Sequence, residues 1–315
     1  MTELKKELKV KRNRHKYEEL TPYEFDREKE RASIIYVGSG PLEYHEEPNT
    51  LGMDLQKGYQ WCLEAAEITG GIVFPPLPVA PDWFWPLDDW EALRKRWRQV
   101  KFGEYTKIPL LYPGVMFSRD AAERVYRELL ETFADFLGFK LCVFIGSHGP
   151  AGQMIKYIVA RENGRCGERE LPGSDFTGGK FHGMEVMPVG SLAFGLDLIK
   201  KFYEDNNIGR INHGGLWEAA YNYAINPGYY HPEYLDEKKY PQHYGTLTEE
   251  HFTEGGPVNT PDQEFMPDAL RNRKDCVRPV KSEYGKFSAE FAEKLHRTTV
   301  TRLAEAVMNK YKTLG

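Results

Sequence analysis

The sequence has only four cysteines in 315 residues, Cys62, Cys142, Cys166 and Cys276, and no two stand at Cys-x-x-Cys spacing. That excludes a disulfide framework and a paired-thiolate metal site. It predicts free thiols in a reducing compartment. No apolar run approaches the ~20 residues that a membrane helix needs; the longest candidate, Leu141–Ile145, stops at Gly146. The segment Met1–Arg12 is charged and lacks the apolar stretch of a secretory signal. A cytoplasmic protein without a membrane partner is therefore expected. Charge of one sign is not in excess either, since 42 Lys and Arg face 47 Asp and Glu for a net charge of −5. That balance speaks against a dedicated nucleic-acid binder. The one basic cluster, Lys5, Lys6, Lys9, Lys11, Arg12, Arg14 and Lys16, is read as a solvated N-terminal arm that packs on a neighbouring subunit.

What is present suits a large folded core: 41% of residues are hydrophobic and 28% charged. No internal repeat or long low-complexity linker divides the chain, so one domain is expected over residues 33–315, preceded by an arm and short helix over 1–32. Thr21, Pro22 and Glu24 form a capping signature that opens a helix reaching Ala32. A β-branched run, Ser33–Val37, then reads as a buried strand. Asp54–Thr69 has helical spacing, with Tyr59, Leu63 and Ala66 on one stripe, and Gly70 ends it. Ile72–Phe74 is a second short strand. Asp120–Leu137 reads as a long helix with Ala121, Val125, Leu129, Phe133 and Phe136 on its apolar side. Lys140–Ile145 is the clearest strand, and its unbroken apolar run predicts burial on both faces, as in a parallel sheet. Gly152–Ala160, Ser191–Tyr203 and Ser288–Tyr311 complete the helices. Strand and helix alternate, so the fold class is α/β, a mostly parallel central sheet flanked by helices. Residues 79–109 form an aromatic insertion with Trp83, Phe84, Trp85, Trp90 and Trp97. Residues 221–278 lack periodicity and are expected to cover the site or contact another subunit.

Three polar clusters fall where strands are expected to end, the place where open α/β sheets bind ligands. They are Glu43-Tyr44-His45 with Asp54, then Gly146-Ser147-His148-Gly149-Pro150, then Asn212-His213-Gly214-Gly215-Leu216-Trp217-Glu218. In an extended segment Glu43 and His45 point the same way. Asp54, at the start of a helix, has two oxygens and could bridge two cations. His148 can add a nitrogen. Carboxylate and imidazole without thiolate suit Zn, Mn or Fe. Two such ions ~3.5–4 Å apart could hold a hydroxide and polarise a carbonyl.

Val37-Gly38-Ser39-Gly40-Pro41-Leu42-Glu43-Tyr44-His45 with Leu51-Gly52-Met53-Asp54 resembles the first motif of the creatininase (creatinine amidohydrolase) family, roughly P-V-G-S-x-E-x-H-G-P-H-L-P-L-G-T-D. Pro113-Gly114-Val115-Met116-Phe117-Ser118 is similar to its P-G-T-x-S segment. Phe144-Ile145-Gly146-Ser147-His148-Gly149 resembles its N-G-H-G-G-N loop, and His213-Gly214-Gly215-Leu216-Trp217-Glu218 its H-A-G-E-x-E motif. The resemblance implies a single-domain α/β sandwich that assembles as a homo-oligomer and holds two divalent metal ions. Carried over by position, Glu43, Asp54 and His148 would hold one ion, and His45 and the bridging Asp54 the other. In creatininase a Glu two residues after the loop histidine completes the second site. Here that position is Pro150, and Glu218 is the substitute; His213 would be the acid/base residue.

The departures mark a divergent branch. Glu46-Glu47-Pro48 replaces G-P-H, and Gly146 and Ala151 replace the two Asn of the second motif. The resemblance implies hydrolytic opening of a small polar cyclic substrate. Either a cyclic amide C–N bond or the C–C bond of a cyclic diketone such as 3-dehydro-scyllo-inosose would be cleaved. The altered loops and the added acids Glu46 and Glu47 are compatible with a polyhydroxylated ring. A competing class is an inactive member that binds a metabolite or builds an assembly. Bound transition metal separates the two readings.

Overall fold

The protein is described by a computed structural model covering residues 13–81, 114–167, 172, 176–209, 211, 213–236, 238–240 and 281–315. The basic residues Lys5 to Arg12, the aromatic core of the insertion from Trp83 to Trp97, Asn212 and the 241–278 stretch lie outside these residues.

Helix α1, Pro22–Arg31, starts where the capping signature puts it. The Thr21 backbone N–H donates to Glu24 Oε2 at 2.8 Å, and the Glu24 N–H donates back to Thr21 Oγ1 at 3.3 Å. Strand β1, Ile34–Ser39, is buried throughout. Helix α2, Met53–Thr69, returns beside it and ends at Gly70, whose φ of 83° suits glycine. Strand β2 is only Ile72–Val73. Helix α3, Arg119–Glu131, runs into a π turn, Thr132–Phe136. Strand β3, Leu141–Gly146, is buried on both faces, as its unbroken apolar run implies. Helix α4, Gly149–Glu162, follows at once, and β4, Gly179–Phe181, and β5, Met184–Gly190, make a hairpin. Helices α5, Leu196–Asp205, and α6, Leu216–Ile225, follow, then a single helical turn, Lys281–Tyr284, and α7, Ala289–Lys312, capped by Ser288.

The sheet order is β2-β1-β3-β5-β4. All neighbours are parallel except β4, which runs against β5. Residues alternate between two cores, as strand geometry requires. Ile34, Tyr36, Leu141, Val143 and Ile145 face α2, α5, α6 and α7. Ile35, Val37, Cys142 and Phe144 face α3 and α4. The chain leaves β1 toward β2 and re-enters on its other side as β3, so the strand order reverses between β1 and β3. Their ends are level, with Ser39 opposite Gly146. That edge is the crevice in which a doubly wound sheet holds ligands.

Several expectations need correction. The apolar side of α3 is Ala122, Tyr126 and Leu130, one residue round from the expected Ala121, Val125 and Leu129. Phe133, in the π turn, continues that side, while Phe136 is 84% exposed. The buried face of α2 runs through Lys57, Trp61 and Ala65, with Tyr59 and Leu63 only flanking it. Residues 221–225, expected to be irregular, belong to α6. The helix expected from Ser191 begins at Leu196. The third polar cluster follows helix α5 rather than a strand, and β4 and β5 lack a sequence signal because Gly183 and Pro188 interrupt the alternation. The 13–19 segment is no free arm: His15 is fully buried and Lys16 pairs with Val73 beside β2.

Gly40 sets how closely β1 and α2 approach. A Cβ there would lie 2.8 Å from the backbone carbon of Asp54 and 2.9 Å from the nitrogen of Leu55. Glycine thus lets the first turn of α2 sit against the end of β1. Gly40→Ala is expected to lower stability by about 1–3 kcal/mol, the usual cost of overpacking, seen as a lower thermal midpoint.

Candidate metal centre

Glu43 and His45 lie in the loop that leaves β1. The Glu43 N–H donates to Leu51 O at 2.8 Å, closing that loop over the start of α2. Leu42, beside Glu43, pairs with Val115, so the 114–118 segment borders the same loop before Ser118 caps α3. Asp54 is in the first turn of α2 and Glu218 in the first turn of α6, where helix N-termini favour carboxylates. His148 is the N-cap of α4, straight after β3. Ser147 Oγ lies 2.6 Å from Asp54 O and 2.9 Å from Ser39 O, tying β3, β1 and α2 together.

These placements bring all the candidate ligands into one buried cluster. Glu43, His45, Asp54, His148 and Glu218 are each at most 7% exposed. Two donor groups form, Glu43 with Asp54 and His148, and His45 with Asp54 and Glu218, each with its ligand atoms within 4.8 Å of one another. Asp54 belongs to both. Its Oδ2 is 3.3 Å from His148 Nδ1 and 3.4 Å from His45 Nε2. Glu43 Oε2 is 3.1 Å from His148 Nδ1, and Glu218 Oε1 is 3.7 Å from His45 Nε2. Pro150, in the first turn of α4, offers no side-chain ligand; the carboxylate beside His45 comes from α6 instead.

The chemistry of the donors fits divalent cations. His45 Nδ1 lies 3.1 Å from the Glu43 carbonyl, which can only accept, so the neutral ring carries its proton on Nδ1. Its Nε2 lone pair then faces Asp54 and Glu218, the arrangement a ligating histidine uses. Glu43 Oε2 and His45 Nε2, which face the cluster, are buried at ion-pair distances from His148 and Asp54 yet make no well-directed hydrogen bond. Buried polar atoms almost always have partners, so these atoms call for a ligand. The electrostatics agree. Burial opposes charge on His45, yet Asp54 and then Glu218 hold its pKa at about 10. His148 is likewise held up to about 9 against burial, chiefly by Glu43. Burial disfavours ionisation of Asp54, but Lys57 and His45 outweigh it and keep the carboxyl ionised well below the ordinary range. The carboxylates thus demand positive charge, which protons on the imidazoles or bound cations can supply.

His213 sits at the rim, its side chain 26% exposed. Its Nε2 lies 2.7 Å from the Tyr44 carbonyl and 3.9 Å from Glu43 Oε1, and its ring lies 4.4 Å from that of His45. With Glu43 and His45 it forms a third possible donor group. Gly214, at φ 68°, makes the turn, and a Cβ there would meet Glu46 Cγ at 2.7 Å. Its N–H donates to Glu218 Oε2, and its carbonyl accepts from the hydroxyl of Tyr284. Asn222 donates to Asn49 at 3.1 Å, and Asn49 donates to His45 O at 2.7 Å. The His231 N–H donates to Pro48 O at 2.8 Å, so the 227–231 turn lies on the same loop. Sequence reasoning missed Lys57, Tyr284 and Asn49. Lys57 alone carried a signal, a lysine three residues after Asp54 on an otherwise apolar helix face. Cys62 and Cys142 are buried free thiols.

No protein-family model matches this chain, and no curated protein matches it by sequence. Among the described residues no helix is long and apolar enough to cross a membrane. Solved structures do resemble it. A creatinine amidohydrolase (creatininase) is 15% identical, with 94% of this chain and 98% of that chain covered and a TM-score of 0.57. A manganese form of creatininase matches with the same identity and coverage and a TM-score of 0.58. A Zn-Zn form of a mutant creatininase is 16% identical, covering 96% of this chain and 99% of that chain, with a TM-score of 0.60. The chain thus has a creatininase-like fold, a mostly parallel five-stranded sheet flanked by helices.

Proposed function

We propose that the protein is a hydrolase dependent on two divalent cations, Zn, Mn or Fe, that opens a small polar cyclic substrate. The observation that carries this reading is the pair of buried donor groups sharing Asp54, with a donor atom lacking a well-directed hydrogen bond in each. In it, Glu43, Asp54 and His148 hold one cation, and His45, Asp54 and Glu218 the other. Bound there, such cations polarise a carbonyl and make water a nucleophile at neutral pH. The likeness to zinc and manganese creatininases supports the assignment.

The protein's own groups then have separate tasks. Asp54 and Glu43 supply buried negative charge. Glu218 is fixed by the Gly214 N–H, which leaves its Oε1 facing His45. His213, partly exposed beside this cluster, can meet both a substrate and solvent. Its Nε2–H donates to the Tyr44 carbonyl, so Nδ1 is the atom that accepts and returns a proton to the leaving group. Glu46, at φ 64° with its Cγ beside Gly214, is the acid this reading assigns to substrate hydroxyls.

The test is an activity screen of the metal-loaded protein against creatinine, other cyclic amides, formamides and oxidised inositols, with product mass as readout. A gain of one water marks hydrolysis, and the fragments show whether a C–N or a C–C bond was cut. Metal analysis accompanies it: about two equivalents per chain are expected, and none after supplementation would favour a binding or assembly protein. Glu218→Gln is expected to weaken one cation selectively, leaving the Glu43–His148 position mostly filled in a metal titration. Loss of neither cation would remove Glu218 from the ligand set.

A further inference from the structure

Lys57 is fully buried, and its place beside the candidate metal centre is unusual for a lysine. Its Nζ lies 3.0 Å from Asp54 Oδ1, one turn earlier on α2. The other side of the ammonium is covered by aromatic faces from α6, with Trp217 centred 5.0 Å away and Tyr221 5.9 Å away. Stability alone gives little reason for this pair, since a buried ion pair is often no better than apolar side chains of similar size. The geometry of the carboxylate gives a better one. Both histidines approach Asp54 through Oδ2, at 3.3 and 3.4 Å, while Oδ1 faces Lys57.

We propose that Lys57 is a positioning residue that divides the two oxygens of Asp54, holding Oδ1 so that Oδ2 alone is shared between two cations. This rests on the two-cation reading above. A carboxylate with both oxygens free can place one cation on each. With Oδ1 engaged by an ammonium, that mode would bring a cation against a like charge in a buried site, where such repulsion is weakly screened. The lysine also offsets one carboxylate charge, so the cations keep more of their pull on a substrate oxygen. The aromatic faces of Trp217 and Tyr221 hold the ammonium without neutralising it.

The experiment uses Mn(II) as the probe on the full chain and on Lys57→Met. Metal content, the electron paramagnetic resonance spectrum of the loaded protein and steady-state kinetics are measured, and the Mn(II)-loaded wild type is crystallised. Expected in the wild type are two ions per chain, both on Asp54 Oδ2, with Lys57 Nζ on Oδ1. Lys57→Met should still bind two ions, but the spin coupling between them should change as Oδ1 becomes free. Its kcat should fall roughly 10–100-fold, the range for residues that orient metal ligands, with KM little moved. One ion on each Asp54 oxygen in the wild-type crystal would overturn the proposal, as would an unchanged spectrum and turnover in the variant. Fewer than two ions in the wild type would overturn the two-cation reading together with it. If the variant does not fold, the wild-type crystal decides alone.

Discussion

Asp54→Ala is expected to abolish turnover and to leave one divalent cation or fewer per chain. Among the described residues, every donor group that could hold a cation through both a histidine and a helix-borne carboxylate contains Asp54. Its Oδ2 is the atom that His45 and His148 both approach. Removing a partner that merely orients a ligand costs ~10–100-fold in metal affinity or activity. Removing a carboxylate shared by two positions should exceed that range in both measures. The substitution also leaves Lys57 as a buried ammonium without its carboxylate, so some loss of stability is expected. The measurements are metal content after dialysis and single-turnover rate, with circular dichroism confirming the fold. A folded variant that retained two tightly bound cations would sink the assignment of Asp54 as the shared ligand.

His213→Ala should lose roughly 10²–10⁴-fold in turnover, the usual worth of a general acid or base, while metal content and thermal midpoint barely change. The structure gives specific reasons for expecting that separation. The ring is partly exposed and lies at the rim, whereas Glu43, His45, Asp54, His148 and Glu218 are buried. The turn that carries it is secured by other groups, the Gly214 N–H on Glu218 and the Tyr284 hydroxyl on the Gly214 carbonyl. Losing the imidazole therefore need not unfold the turn. Its Nε2 is nevertheless 3.9 Å from Glu43 Oε1 and its ring lies tilted 4.4 Å from that of His45, so a ligand role is the specific competitor. Loss of one cation in His213→Ala would establish that role, and the proton would then move through Glu218 or solvent. Adding imidazole to the variant offers a further readout. Partial recovery of turnover is expected of a missing proton carrier.

Much of this site was legible because its residues sit at element boundaries, where local chemistry is strongly constrained. Glu43 and His45 follow a β-branched run, His148 follows an unbroken apolar one, and Asp54 opens a helix with clear spacing. The central strands were legible for the same reason, since a strand buried on both faces needs apolar side chains without a break. Other elements were not. The stripe through Ala121, Val125 and Leu129 competes with one a single residue further on, and only packing on the sheet decides for Ala122, Tyr126, Leu130 and Phe133, with Phe136 turned outward. The β4–β5 hairpin has Gly183 in its turn and Pro188 inside its second strand, which erase alternation. Lys57 escaped because its one signal, the spacing of three residues from Asp54, is equally that of a solvated surface pair. Only the carboxylate and the aromatic faces around it, from α6 more than 150 residues away in sequence, explain its burial. Asn49 and Tyr284 escaped likewise, since their partners are Asn222 and Gly214 on distant segments.

The two margins of the sheet are both too short to recruit another strand. At one margin β2 has two residues, and its open side is already met by Lys16 through a bridge to Val73. At the other, β4 has three residues, runs antiparallel, and turns sharply through His182 at φ 47° and Gly183 at φ 91°. Long flat margins invite strand-to-strand addition and fibre growth, and short or interrupted ones resist it. Among the described residues, then, self-association has no backbone ladder to extend. What these residues offer another surface instead is side chains on helices and loops, where Phe136, Tyr23 and Ile68 are the most exposed large apolar groups.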